Sequence, residues 1–195
     1  ILPAGKYIGN SRYKDVFAAS AVADLTSFRN HWGAETSLDV ELYRPVARYE
    51  LVAKDVATFL NKLSTGGLKG ESFTARVKYS DYLPTGYNLW DDVPKNSLMY
   101  MEYKVAFERP ADGTKELILG FDYVLTDAGE TVSIPVELEI LNEKNEVLAR
   151  TAFRIPCERG KNTAVRGNFL TSDANGGIGI DPDYDGDLEV DLGEL

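Results

Sequence analysis

The chain of 195 residues contains one cysteine and one histidine, and these two scarcities remove whole classes of chemistry. With Cys157 alone, no intramolecular disulfide can form. With His31 alone, no multi-histidine zinc site can be built. A Cys–His nucleophile pair needs both side chains within hydrogen-bond reach and a third orienting group, and no local signature joins positions 31 and 157. They read as a loop histidine and a small buried cysteine at a strand end, Ile155-Pro156-Cys157. Positive charge is also scarce: 21 Lys and Arg stand against 31 Asp and Glu, a formal net charge of −10. That balance argues against nucleic acid as a partner, since such binding sets Lys and Arg against phosphates. It equally disfavours an anionic membrane face. No apolar run approaches the ~20 residues of a membrane span. Ile1 is preceded by neither an initiator Met nor a basic leader, so the start reads as a processed or shortened end with sequence missing upstream.

What the chain has is a hydrophobic fraction of 44%, ample for a packed core, and a strong period of two. Val132, Ile134, Val136, Leu138 and Ile140 alternate with polar residues. Leu117, Leu119, Phe121, Tyr123 and Leu125 repeat the pattern, as do Val147, Ala149, Thr151, Phe153 and Ile155, with Arg150 and Arg154 opposite. Half-buried strands need this alternation because successive side chains point to opposite faces. Earlier strands are expected at 38–43, 46–53, 73–80 and 98–108. Pro135 implies an edge or a bulge, since it cannot donate to a ladder. One helix is expected at 55–63, capped by Asp55, with Val56, Phe59, Leu60 and Leu63 as its apolar stripe and Gly66-Gly67 ending it. Residues 81–97 are the longest irregular stretch. About nine strands joined by consecutive hairpins make the chain all-β with one short helix, an antiparallel β-sandwich of Greek-key type.

The acidic segment 176–195 supports two readings. Asp181, Asp183, Asp185 and Asp187 sit at alternate positions around Gly186, as at the opening of a calcium loop. Leu192, however, stands where the bidentate Glu belongs, and a strand would send alternate carboxylates to opposite faces. The preferred reading is a solvated turn at 171–195 that ends in a strand, with Asp187, Leu188, Val190 and Leu192 as its working residues. Tyr79, Tyr82, Tyr87 and Trp90, beside Asp91 and Asp92, read first as cover for an open core edge. The alternative is a sugar platform built on Tyr87, Trp90 and Asp91. Glu137 with Glu139, and Asp91 with Asp92, are carboxylate pairs, yet nothing predicts a buried member with a raised pKa. Arg159, Lys161 and Arg166 mark a polar crossover between strands. No catalytic signature appears, so the chain is read as a non-enzyme that needs no cofactor.

Several stretches together resemble the fimbrillin-like proteins of Bacteroidales. They are Val40-Glu41-Leu42-Tyr43-Arg44-Pro45-Val46-Ala47-Arg48, Arg159-Gly160-Lys161-Asn162-Thr163 followed by Arg166-Gly167-Asn168-Phe169-Leu170-Thr171, the segment 176–187, and Asn10-Ser11-Arg12-Tyr13-Lys14-Asp15-Val16-Phe17. The resemblance implies a transthyretin-like sandwich and a single domain over 1–195 that lacks N-terminal strands. It also implies a fimbrial (pilus) or adhesion role, and localisation at the outer-membrane surface. There the precursor would be a lipoprotein, and the lipid anchor its only contact with the membrane. The partners it implies are other fimbrial or surface subunits, and a host or bacterial receptor or glycan. Assembly would proceed by β-augmentation, one subunit's terminal strand completing a neighbour's open edge.

Overall fold

Alternation along the strands resolves into two facing sheets. The computed structural model describes residues 7–31 and 33–172, and among these it contains nine strands and one α-helix. In chain order they are β1 (Val46–Ala53), α1 (Val56–Ser64), β2 (Ser72–Tyr79), β3 (Leu83–Asn88), β4 (Val93–Leu98), β5 (Glu102–Glu108), β6 (Leu117–Leu125), β7 (Thr131–Asn142), β8 (Val147–Glu158) and β9 (Asn162–Gly167). One sheet runs β6-β1-β9, the other β5-β2-β7-β8, and β3-β4 is a separate hairpin. Tyr49, Leu51, Leu119 and Val165 from the first sheet and Phe73, Val77, Leu138, Ile140 and Ile155 from the second are buried in one core. This is the all-β sandwich with one helix that the periodicity implied.

The connections differ from a run of consecutive hairpins. Only β3–β4 and β7–β8 join partners adjacent in sequence, and β9 lies parallel to β1, from Arg48↔Asn162 to Ala53↔Gly167. Alternation specifies which side chains share a face, not which strand lies beside which. Residues 38–42, expected as part of a strand over 38–43, pair with no strand among the described residues. Only Tyr43 forms a bridge, with Ala18, so Leu38, Val40 and Leu42 remain exposed. The stretch 81–97 is the ordered β3–β4 hairpin instead of an irregular loop. The expected strand at 98–108 is interrupted at Tyr100, whose φ of 60° no strand adopts.

Two local devices shape the interior. β6 carries a bulge: Leu51 pairs with Gly120 but Val52 pairs with Ile118, which leaves Leu119 as an extra residue. The shift of one position reverses the inward side, so Asp122 and Val124 are buried while Phe121 and Tyr123 are turned outward. Helix α1 buries Val56, Phe59 and Leu60, with Phe59 edge-on to Phe73 at 5.1 Å. Asp55 precedes the helix but gives it no side-chain cap. Its carboxylate accepts from the Leu170 and Thr171 amides and from the Thr171 hydroxyl at 2.7–3.2 Å. Pro135 is neither at an edge nor at a bulge but in β7, between β2 and β8; its carbonyl accepts from Ser80 N at 3.0 Å, just past the end of β2, so its missing N–H falls where the β2–β7 ladder ends.

Candidate contact site at the hairpin tip

The β3–β4 turn is built by Asn88, whose Oδ1 accepts from Trp90 N at 3.0 Å and from Asp91 N at 3.4 Å, while its amide donates to Asp91. Short polar side chains favour such local bonds over ladder pairing. Asp92 then takes φ 58° and turns into a cluster. Its Oδ1 accepts from Tyr43 Oη at 2.6 Å, Tyr87 Oη at 2.7 Å and Arg159 Nη2 at 2.6 Å, and its Oδ2 accepts from Arg159 Nη1 at 2.8 Å. Arg159 stacks over the Tyr43 ring at 4.3 Å and is only 12% exposed. The hydrogen bonds from Arg159 and Tyr43 hold the Asp92 carboxyl well below the usual carboxylate range. Burial first, then the bond to Asp92, pushes the Tyr87 hydroxyl up. A bidentate Arg–carboxylate pair is directional as well as strong, so it pins the hairpin to the β8–β9 turn.

That anchor leaves Trp90 at the tip, 85% exposed, beside an exposed Leu89. The four aromatics expected together are therefore dispersed. Tyr79 is in the core, Tyr82 is exposed on its own, Tyr87 is engaged with Asp92 and Arg159, and Trp90 covers nothing. Of the expected sugar platform, the structure keeps Trp90 and Asp91 together on the turn and commits Tyr87 to the anchor. The calcium positions Asp181, Asp183, Asp185 and Asp187, and the strand residues Leu188, Val190 and Leu192, lie outside the described residues. Arg159 and Lys161 do form a crossover, the turn between β8 and β9.

A second polar cluster lies inside the sandwich. Fully buried Asp122 accepts from Tyr7 Oη, from Tyr79 Oη at 2.6 Å, from Lys14 Nζ at 2.7 Å and from Tyr123 N at 2.8 Å. Tyr49 extends the network to Tyr79 at 2.6 Å and Tyr103 at 3.2 Å. Burial raises the pKa of Tyr7, Tyr49, Tyr79 and Tyr103, with the Asp122 charge adding to it, so the four remain hydroxyl donors. Burial also lowers the Lys14 pKa against the opposing pull of Asp122. The one signal in the sequence was an aspartate within an apolar strand, and the alternation placed it outside.

On the outer face of the second sheet, Glu139 lies between its cross-strand neighbours Arg76 and Arg150, with Lys78 at 3.0 Å. Burial raises its pKa, but the hydrogen bonds from Lys78, Arg76 and Arg150 outweigh that and hold it at about 2. This is the reverse of the raised value that a glycosidase acid requires. His31 lies exposed, its Nδ1 3.1 Å from Ser27 O, while Cys157 is buried on β8. Burial pushes the Cys157 thiol up to about 12, away from nucleophilic use. Among the described residues no helix is long and apolar enough to cross a membrane, and no group of three His, Cys, Asp or Glu converges on a metal position.

The model of a family described as "Family of unknown function (DUF6562)" matches residues 1–193. No curated protein matches the chain. Among solved structures it is similar to a "putative cell adhesion protein" from Bacteroides ovatus ATCC 8483, with 13% identity and a TM-score of 0.39. That match covers 65% of this chain and 41% of the other, less than half of its length.

Proposed function

We propose that this chain, which belongs to the family of unknown function DUF6562, is a non-catalytic protein of the cell surface. It would act as a structural or adhesive subunit through projecting segments and strand edges. The observation that carries the reading is where the large apolar side chains are exposed. Leu38, Val40 and Leu42 line an unpaired segment, and Leu89 and Trp90 form the tip of a pinned hairpin. Apolar surface kept in water at such places marks a contact region. The buried carboxylate Asp122, by contrast, has its bonds taken by neighbouring side chains and backbone.

The motif resemblance to fimbrillin-like proteins supports a finer form. In it the precursor is lipid-anchored at the outer-membrane surface, and strand 187–192 completes an edge of a neighbouring subunit. The test is an unboiled SDS gel of the precursor after Arg/Lys-specific proteolysis. A ladder of SDS-resistant multimers is the expected result, and a lone monomer band with an intact core overturns assembly by strand exchange.

A second reading has its own observation. Trp90 offers a flat ring to solvent on a rigid support, with Asp91 adjacent, as carbohydrate stacking requires. Glycan-array binding that disappears in Trp90→Ala would establish it. Calcium dependence of the Asp181–Asp187 loop would appear as a rise in melting temperature on adding the ion.

A further inference from the structure

Strand β8 is one of the two outermost strands of the four-stranded sheet and, among the described residues, pairs with β7 alone. Opposed residues of an antiparallel pair alternate between exchanging both backbone hydrogen bonds and exchanging none. Two observations assign the even-numbered residues of β8. Pro135, opposite Arg154, turns its carbonyl to Ser80 on the β2 side. Pro156, opposite Ser133, has its carbonyl taken at 2.7 Å by Thr163 Oγ1, away from β7. Arg150, Ala152 and Arg154 belong to the same unbonded set, so their N–H and C=O groups point to the open side of β8. Among the described residues nothing pairs with them there. The edge of β6 is different: Asn10 exchanges bonds of 2.9 and 3.2 Å with Phe121. The other outermost strand, β5, presents Glu102, Lys104 and Glu108 on its exposed face, a charge that suits an acidic occupant less well than Arg150 and Arg154 do.

A long open edge is a template for another strand, and the surroundings of this one specify its chemistry. Its outward face carries Arg150, shared with Glu139, and Arg154, whose guanidinium bonds Ser133 and, among the described residues, no carboxylate. Its inward side carries Phe153, stacked on Phe169 at 5.3 Å. An occupant must supply acidic residues outward and apolar residues inward. Residues 187–192 alternate in that way, with Asp187, Glu189 and Asp191 on one side and Leu188, Val190 and Leu192 on the other. The described chain ends at Ser172, three residues after Phe169, whose ring stacks on Phe153 of β8. Residues 173–186, extended, reach up to about 45 Å.

We propose that the open edge of β8, residues 150–154, is the acceptor for the acidic strand 187–192 of this chain. The inference rests on the assembly reading above and names its receiving edge. The test uses the full chain with Ala152→Cys combined in turn with Asp187→Cys, Glu189→Cys and Asp191→Cys, oxidised with diamide and run on non-reducing gels. Arg154→Cys replaces Ala152→Cys if the latter disturbs folding. Native Cys157 stays, since a buried thiol takes little part in exchange. Cross-linking about tenfold above controls with Lys104→Cys on β5 or Arg166→Cys on β9 is expected, as an intramolecular encounter at high effective concentration or a seated neighbour would give. Arg154→Glu should lower it several-fold. Cross-links as a ladder between chains support both the edge and the assembly reading. Cross-links within one chain support the edge and count against assembly. Cross-links at the control positions alone overturn the β8 edge and leave assembly standing. SDS-resistant multimers without any β8 cross-link overturn the edge in the same way.

Discussion

Asp122 and Glu139 are both carboxylates without exposed surface, yet they sit on opposite sides of their sheets and are held by different means. Asp122 answers three side-chain donors and one amide. Asp122→Asn would turn an amide NH2 toward those donors and leave the Lys14 ammonium without its counter-charge, at a cost of about 3 kcal/mol. Urea unfolding measures this, and an unchanged midpoint would remove the network from any account of stability. Glu139 has its folded pKa depressed from 4.5 to about 2. Its contribution is therefore fully present above pH about 4.5 and is lost as the pH falls through about 2. With solvent screening over its half-exposed arginines, it is worth about 2 kcal/mol. Glu139→Gln should flatten the stability profile across that window, and a profile of unchanged slope there would contradict the assignment. The Glu139 position was legible as the polar phase of β7. Asp122 was not, because a one-residue bulge three positions earlier, at Leu119, exchanged the two faces of β6.

At the scale of elements, the hairpin shows how an isolated two-stranded unit stays ordered. Such hairpins are marginal in water without packing or anchors. Here the anchor is Arg159, which arrives from the β8–β9 turn and reaches Asp92, Tyr43 and Tyr87 together. Arg159→Ala should speed amide exchange throughout β3 and β4 by about tenfold or more, while β2 and β7 keep their protection. Equal protection in the variant would mean that the hairpin holds itself. The hairpin was not foreseen, because Pro84, Gly86, Pro94 and a polar run read as irregular. The exposed segment 38–42 is the opposite case. Its alternation suits a strand, yet among the described residues no sheet edge receives it. Helix α1 forms where its apolar stripe predicts it, but Asp55 does not cap it. The amides of Leu170 and Thr171 compete successfully for its carboxylate.

At the scale of the whole molecule, two sheets close one core, Asn10 bonds the edge of β6, and among the described residues β8 presents a long open edge flanked by arginines. A fold arranged in this way depends on what covers that edge. Deleting residues 187–195 should therefore reduce solubility or abolish assembly, as read by sedimentation and light scattering of the truncated chain. An unchanged, soluble monomer would mean that residues 187–195 have no structural role.

Period-two alternation and the scarcity of histidine and cysteine were enough by themselves to determine an all-β chain with a buried Cys157 and neither an intramolecular disulfide nor a multi-histidine metal site within it. These properties follow from each strand's own side chains and from residue counts. Strand order, the parallel β1–β9 pair, the reversal of faces at Leu119 and the meeting of Asp92 with Arg159, 67 positions away, were decided by the tertiary structure alone. Pairing and ion contacts depend on which surfaces come to face each other when the core closes, and alternation leaves that open.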